Sequence, residues 1–581
     1  MSDPVKVVQV RITNHGTRER SLSLASYQRL VLGALPEVSG RTVVTSFDQD
    51  SEILCARQQV SDDFLEGVAF GAAVADAPVT TRFTADREAF LGGGALDGRC
   101  GAGLDPCFAI QLDLRLGPKE TRVLAFLLGH AKDEAAGRDV VLRLREPRAL
   151  DASLGETRGG WESLLQRVRI ETPTEALDLM VNGWLLYQAL ACRLWGRSAL
   201  YQSGGAFGFR DQLQDAAAFL MIEPSIARRQ ILLHAAHQFV EGDVLHWWHP
   251  PSGRGIRTRF ADGLLWLPYV TALYVRATGE PKILDESVPF LEGRTLEPGE
   301  DEAYLEPVRV KGATLYEHCC RAVDRSLGLG PHGLPLFGSG DWNDGMNRVG
   351  VKGRGESVWM GFFLCSILGD FQPICERRGD TSRAERYRDF GERLRSALES
   401  AGWDGAWYRR GYYDDGAPLG SRSSDECQID ALAQAWAVLS GAAERGRACR
   451  ALRAVDERLV STRQKLVRLL APPFEAGSHD PGYIKGYVRG VRENGGQYTH
   501  AALWVVQAMF ELGWRDRAAA VLEMLSPVTH AASAAGVQVY QVEPHVVAAD
   551  IYGEPPHTGR GGWTWYTGSA GWMFPARSAH G

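Results

Sequence analysis

Ala176-Leu177-Asp178-Leu179-Met180-Val181-Asn182-Gly183-Trp184-Leu185-Leu186 marks the point at which the chain changes texture. Its apolar residues spread over a broad face, which fits one side of a helix and not the alternation of a strand. Upstream the pattern is the opposite. Val5, Val7, Val10 and Ile12 alternate into Asn14-His15-Gly16 and resume at Leu22, Leu24 and Tyr27, which predicts a hairpin. Apolar runs at 108–114 and 123–128 flank Gly117-Pro118 and predict a second paired unit. A sandwich is the expected packing. Gly92-Gly93-Gly94 and Gly101-Ala102-Gly103 read as mobile loops, and Glu146-Pro147 through Gly159-Gly160 as a polar boundary.

Downstream, helical spacing recurs at 212–221, 226–240, 263–277, 313–327, 357–377, 382–400, 426–443, 446–470, 499–512 and 516–525, between loops rich in Gly, Pro, Trp and charge. Such a series fits a toroid of paired helices whose long loops line a cleft. A length of 581 residues suits two domains, or one large helical domain with an appendage.

Net charge is −7, with basic residues dispersed among acidic ones, so no footprint for nucleic acid is visible and small-molecule partners are expected. No run of about 18 apolar residues occurs, which argues against a membrane span. Met1-Ser2-Asp3-Pro4 lacks the pattern of a secretory signal, and the expected location is cytoplasmic. Ten cysteines without a CxxC suit buried thiols, and neither a metal site nor a metal cofactor is expected. Sixteen tryptophans stand out, because flat aromatic faces stack on pyranose rings, although most tryptophans fill cores; about a third are expected to face a ligand.

The loops carry the chemistry. In Gly338-Ser339-Gly340-Asp341-Trp342-Asn343-Asp344-Gly345-Met346-Asn347, glycines interrupt regular helix while two carboxylates flank a tryptophan. A carboxyl beside an aromatic ring loses hydration, its pKa rises, and it can protonate a leaving-group oxygen, as glycosidic cleavage requires. The same residues also spell an Asx-turn. Residues 201–215, YQSGGAFGFRDQLQD, bring glycines, the donor fork of Arg210 and the acceptor Asp211 together; a surface ion pair with Asp211 capping the following helix is the plainer account. Residues 243–262 mix His246, Trp247 and Trp248 with Arg254, Arg257, Arg259 and Asp262, as a saccharide subsite or a packed corner would. Residues 492–500 and 561–571 offer glycine-flanked amides, hydroxyls and His500 to an anion, without a Walker lysine; in isolation they also fit structural turns.

Taken in order, YQSGGAFGFRDQLQD, HWWHPPSGRGIRTRFADGLLWLP, GSGDWNDGMN, GRGESVW, ENGGQYTH, EPHVVAADIY and WTWYTGSAGW resemble the inverting β-glucoside phosphorylases of glycoside hydrolase family 94, over roughly residues 1–575. The forms FGFRDQLQD and GRGIRTRFADGLLWLP look closest to β-1,2-oligoglucan phosphorylase and the phosphorylase region of cyclic β-1,2-glucan synthase. The resemblance implies a mainly α fold: a partial N-terminal antiparallel β-sandwich over 1–150, a linker over 151–170 and an (α/α)6 barrel catalytic domain over 171–581, with the C-terminal jelly-roll absent. It implies Asp344 as general acid, Asp211 and Trp342 at the nonreducing-end sugar with Gln202 in the same loop, and His500, Thr567 and Gly568 at phosphate together with an arginine, here Arg354. The family's YQSR arginine is replaced by glycine in a longer loop, leaving Arg210 to compensate. The implied reaction is reversible phosphorolysis of a β-glucan oligosaccharide to α-glucose 1-phosphate, with inorganic phosphate as co-substrate, no cofactor, and a homodimer formed through the sandwich. The competing readings are an inverting hydrolase with Glu493 or Glu543 as base, and a truncated carbohydrate-binding fragment.

Overall fold

The structure, a computed structural model, describes residues 3–61, 63, 65–146, 148–197, 204–250 and 252–574, so Gln202 lies outside the described residues. The chain divides into two units. The first comprises Met1–Leu164, Ser198–Gly205 and His249–Gly253; the second comprises Leu165–Arg197, Ala206–Trp248 and Arg254–Gly581.

The first unit is a sandwich of two antiparallel sheets. Its strands are β1 (Val5–Thr13), β2 (Arg20–Arg29), β3 (Val43–Asp48), β4 (Ile53–Gln58), β5 (Val68–Ala75), β6 (Thr80–Asp86), β7 (Pro106–Leu116) and β8 (Thr121–Ala131). One sheet runs β1-β8-β5-β4-β3 and the other β2-β7-β6. Neither predicted hairpin forms. β1 pairs with β8, Val5 opposite Gly129, and β2 pairs with β7, Arg20 opposite Leu116. Both turn sequences are therefore corners at which the chain leaves one sheet for the other. The alternation was read correctly, but pairing depends on residues far along the chain, Thr121 for Thr13 and Cys107 for Arg29.

Asn14 fastens the two corners together. Its Nδ2 donates to Arg18 O (2.8 Å), Leu116 O (3.1 Å) and Gly117 O (2.9 Å), while its backbone N–H donates to Glu120 O at 2.9 Å. Between the sheets, Leu30, Leu54, Phe108, Leu112, Leu124 and Phe126 form one core. The helix Glu134–Arg145, N-capped by Asp133 Oδ1 on Ala136 N (2.8 Å), covers the outer face of the larger sheet with Val141 and Leu144. The next helix, Ala149–Leu165, falls where the sequence suggested a polar boundary and linker; helix-forming Glu, Arg, Leu and Ala outweigh the scattered glycines there.

The second unit is built from helices Phe209–Ala217, Pro224–Ala235, Trp266–Thr278, Leu315–Arg325, Val358–Arg377, Thr381–Ala397, Ala431–Leu439, Arg445–Arg458, Thr499–Glu511 and Arg515–Leu525. The Phe209, Trp266, Val358, Ala431 and Thr499 helices pack in succession, and Ser569–Met573 touches both the last and the first of them. Each also packs against a second helix outside this succession. The segment expected as one helix over 446–470 stops at Arg458 and continues as the paired strands Val460–Ser461 and Leu466–Val467. The 243–262 loop is a ribbon, with Leu245–Trp248 and Gly255–Thr258 in a four-stranded sheet. Val358–Arg377 is long and apolar enough to cross a membrane by length and composition, but most of it is buried in this unit, so no span is implied.

Tryptophan fills the middle. Trp266, Trp359, Trp436, Trp504 and Trp572 come from five of the successive helices and are buried, with ring centroids 5.3 Å apart for Trp436–Trp504 and Trp504–Trp572. These rings are floor and core, not a ligand face.

Two stability predictions follow from this packing. Asn14→Ala strands buried carbonyls at both corners and lowers stability by about 1–3 kcal/mol, seen as an earlier first transition in denaturant unfolding. Trp504→Ala opens a cavity among Trp266, Trp342, Trp359, Trp436, Trp572 and His500 and costs about 3–5 kcal/mol, read from the transition of the helical unit.

Candidate active site

The 338–347 segment lies against the backbone at two glycines. A Cβ on Gly338 (φ +66) would stand 2.2 Å from Arg259 O, and one on Gly340 (φ +149) 2.1 Å from Phe260 Cε1. Only glycine allows this approach and these torsions. Asp341 Oδ1 accepts from Asn343 N (3.1 Å) and Asn343 Oδ1 from Gly345 N (3.1 Å), so the Asx-turns are real. They hold a single 3₁₀ turn, Asp344–Met346, from which the Asp344 carboxyl projects at 34% exposure. The turn and the acid are thus two parts of one device.

Arg210 organises the charges. It lies in the first turn of the Phe209 helix, where Asp211 makes no cap; its Nη2 donates to Asp344 Oδ1 at 2.6 Å and its Nη1 to Asp262 Oδ1 (3.1 Å) and Asp341 O (3.0 Å). Asp262 also accepts from Trp266 Nε1 at 3.0 Å, which connects the charge cluster to the tryptophan floor. Burial raises the Asp344 pKa; Arg210 opposes the shift, while Asp211 and Asp341 add to it. His246 Nε2 stands 4.0 Å from Asp344 Oδ2, and burial together with Arg210 pulls this imidazole down to about 4, leaving it neutral at pH 7.

Beside this centre lies a second cluster. Burial would lift the Asp211 carboxyl, but Arg193, Arg197 and Arg210 overcome it and hold the group well below the usual carboxylate range. Arg193 donates from Nε to Asp215 Oδ2 (2.9 Å), lies 3.6 Å from Asp211, and sits 4.6 Å over the Tyr566 ring. Burial pushes Asp215 up to about 6 against the pull of Arg193 and Arg197. Arg197 donates from Nε to Ala206 O and sits over the same ring at 4.9 Å; its Nη1 is buried without a hydrogen-bond partner among the described residues.

The residues expected at phosphate partly converge here. A Cβ on Gly568 would lie 3.4 Å from Asp215 Oδ1 and 3.6 Å from His500 Cε1, and the Thr567 hydroxyl bonds Ser569 Oγ at 2.9 Å. Trp342 packs edge-on to His500 at 5.2 Å and against Trp504 at 5.1 Å. Arg354 is placed otherwise: its backbone N–H donates to Asp414 Oδ1 at 2.9 Å and the residue is exposed. Arg193 and Arg197 occupy this neighbourhood instead, and nothing local in the sequence distinguished them from helix-surface arginines.

In the 243–262 ribbon, Arg257 chelates Asp243 with two bonds of 2.7 Å and is 1% exposed, Arg259 donates to backbone carbonyls, and Trp248 stacks on His237. His246 and Asp262 are the members of that ribbon that reach the acid cluster. Of the alternative bases, Glu543 Oε1 accepts from Trp565 Nε1 at 2.9 Å. Glu493 lies 3.4 Å from Arg492, and burial pushes its carboxyl up to about 7.

Comparison with known proteins bears on this arrangement. The chain is 45% identical over 588 residues to cyclic beta-(1,2)-glucan synthase NdvB of Rhizobium meliloti, a match that spans 99% of this chain and 21% of that much longer protein. It is 29% identical over 593 residues to solabiose phosphorylase of Paenibacillus borealis, covering 99% of this chain and 72% of the relative. Among solved structures, a bacterial glucoamylase complexed with acarbose superposes with a TM-score of 0.58 at 11% identity, covering 92% of this chain and 74% of that one, a likeness of fold alone. Residues 1–147 match the glycosyl hydrolase 94 supersandwich domain and residues 160–580 match the catalytic domain of the glycosyl hydrolase 94 superfamily, and the chain belongs to that family.

Proposed function

We propose that this chain catalyses the inverting, reversible phosphorolysis of a β-1,2-linked glucan oligosaccharide to α-glucose 1-phosphate and a shortened sugar. The observation that carries the proposal is the pairing of one carboxyl of raised pKa, Asp344, with a neighbouring cluster in which buried Arg197 makes no ion pair of its own among the described residues. Asp344 gives its proton to the glycosidic oxygen as the bond to the anomeric carbon breaks, and phosphate attacks that carbon from the opposite face. Phosphate takes the place of the water and second carboxylate of an inverting hydrolase, and a retained sugar–phosphate bond keeps the reaction reversible. Phosphorylases among the relatives and the family match support this reaction class, and the similarity to NdvB supports the β-1,2 linkage.

Within this proposal Trp342 and Asp211 hold the nonreducing-end sugar, and His500, Thr567 and Gly568 hold phosphate, with Arg197 in place of Arg354 as the arginine of the anion site. The closed succession of inner helices, each with an outer partner, supports an (α/α)6 barrel as the scaffold. Glu493, whose carboxyl burial pushes up to about 7, titrates near the working pH that suits a general base, which supports the hydrolase as the second reading.

Phosphate dependence separates the two. With a β-1,2-glucan oligosaccharide, sugar phosphate forms only when phosphate is present; equal release of free glucose with and without it sinks the phosphorylase. Asp344→Asn lowers kcat by about 10²–10⁴-fold while calorimetry still detects sugar binding. The acid must carry its proton, so kcat/KM falls as pH rises through a pKa above the ordinary aspartate value. Arg197→Ala raises the KM for phosphate by roughly 10–100-fold, whereas Arg354→Ala leaves it within about twofold.

A further inference from the structure

We infer that Arg410 is a positioning residue for the proton donor, acting by clamping the Asp341 carboxylate beneath the acid turn. The inference rests on the assignment of Asp344 as the acid. Asp341 and Arg410 are both wholly out of solvent, and Arg410 Nη2 donates to Asp341 Oδ1 at 2.5 Å. Ser357 Oγ donates to the other oxygen of that carboxylate at 2.8 Å and accepts from Arg410 Nη1 at 3.1 Å, closing a three-membered ring of contacts. The guanidinium also lies over the Phe337 ring at 5.1 Å, with its Nε 3.6 Å from Asp430 Oδ2.

Two members of this cluster are helix caps. Ser357 Oγ accepts from Met360 N (3.1 Å) at the start of Val358–Arg377, and Asp430 Oδ1 from Leu432 N (2.7 Å) at the start of Ala431–Leu439. The acid loop is thereby tied to the N-termini of two helices of the inner succession. Its height matters because the Asp341 carbonyl accepts from Arg210 Nη1 (3.0 Å), the same guanidinium whose other nitrogen holds Asp344. A guanidinium fork fixes direction as well as charge; an ammonium supplies charge alone.

The test is steady-state cleavage of a β-1,2-glucan oligosaccharide, with and without phosphate, as a function of pH. Asp344 also faces Arg210 and Asp211 from the Phe209 helix, His246 from its strand, Asp262, and Tyr483 and Glu493 from the 480–494 loop, all unchanged in the variants. Arg410→Lys keeps the charge and loses the fork, so kcat falls about tenfold or more, the sugar KM stays within about twofold, and the basic limb of the profile does not move. Asp341→Asn removes a negative neighbour while Arg410 stays charged, so kcat falls and the basic limb moves to lower pH. Where Arg410→Lys does not fold by circular dichroism, Ser357→Ala, which removes one bond to the same carboxylate, shows the same split between kcat and KM. Folded Arg410→Lys or Ser357→Ala protein with wild-type kcat overturns the inference, as does a loss that only follows the folded fraction. Cleavage that ignores phosphate in the wild type defeats the phosphorylase instead and leaves the comparison of variants intact.

Discussion

Exclusion of water by packed tryptophan is the constraint on which the rest of this molecule depends. Rings from five helices meet at the centre of the second unit, and Trp342 extends that surface to the acid loop. Charges placed on such a floor cannot rely on hydration, so a fixed partner offsets the cost of burying them. Arg210 is shared among Asp344, Asp262 and a main-chain carbonyl, and Arg193 between two aspartates, which leaves Arg197 as the buried cation with a carbonyl in place of a carboxylate among the described residues. Dryness lifts the pKa of Asp344, while Arg193, Arg197 and Arg210 overcome the same effect at Asp211 and draw it the other way, so two neighbouring carboxyls are pushed in opposite directions.

The helices of the second unit were legible because their apolar spacing is local: Val358–Arg377 and Thr499–Glu511 start within one residue of the periodicity. Strand pairing was not legible. Nothing near Asn14 or Gly117 says that each turn crosses between sheets, since the partners of β1 lie in β8 and those of β2 in β7. Short strands at 460–467 escaped for a related reason, as two-residue pairings leave no period to detect.

The site divides along the same line. Asp344, Trp342, Asp211, His500 and Gly568 stood out through the ordered motifs of the family resemblance, while the glycine-rich loops alone left structural turns as an equal account. Arg193, Arg197 and Arg410 did not, for an arginine on a helix or beside a short strand carries no sign of what it will touch. Their importance comes from burial, and burial is a property of the assembled unit. Arg354 shows the converse, a conspicuous motif arginine whose exposed position keeps it with Asp414.

The corner held by Asn14 sets a schedule for synthesis. Thr13 and Thr121 meet side by side, 108 residues apart in sequence. At the usual pace of translation, β1 emerges roughly 5–20 s before the strand it pairs with exists. During that interval its backbone groups and the apolar residues of β2 are an open sheet edge. The sandwich is therefore completed only once β8 has been made, and until then its early strands depend on being kept apart from other chains.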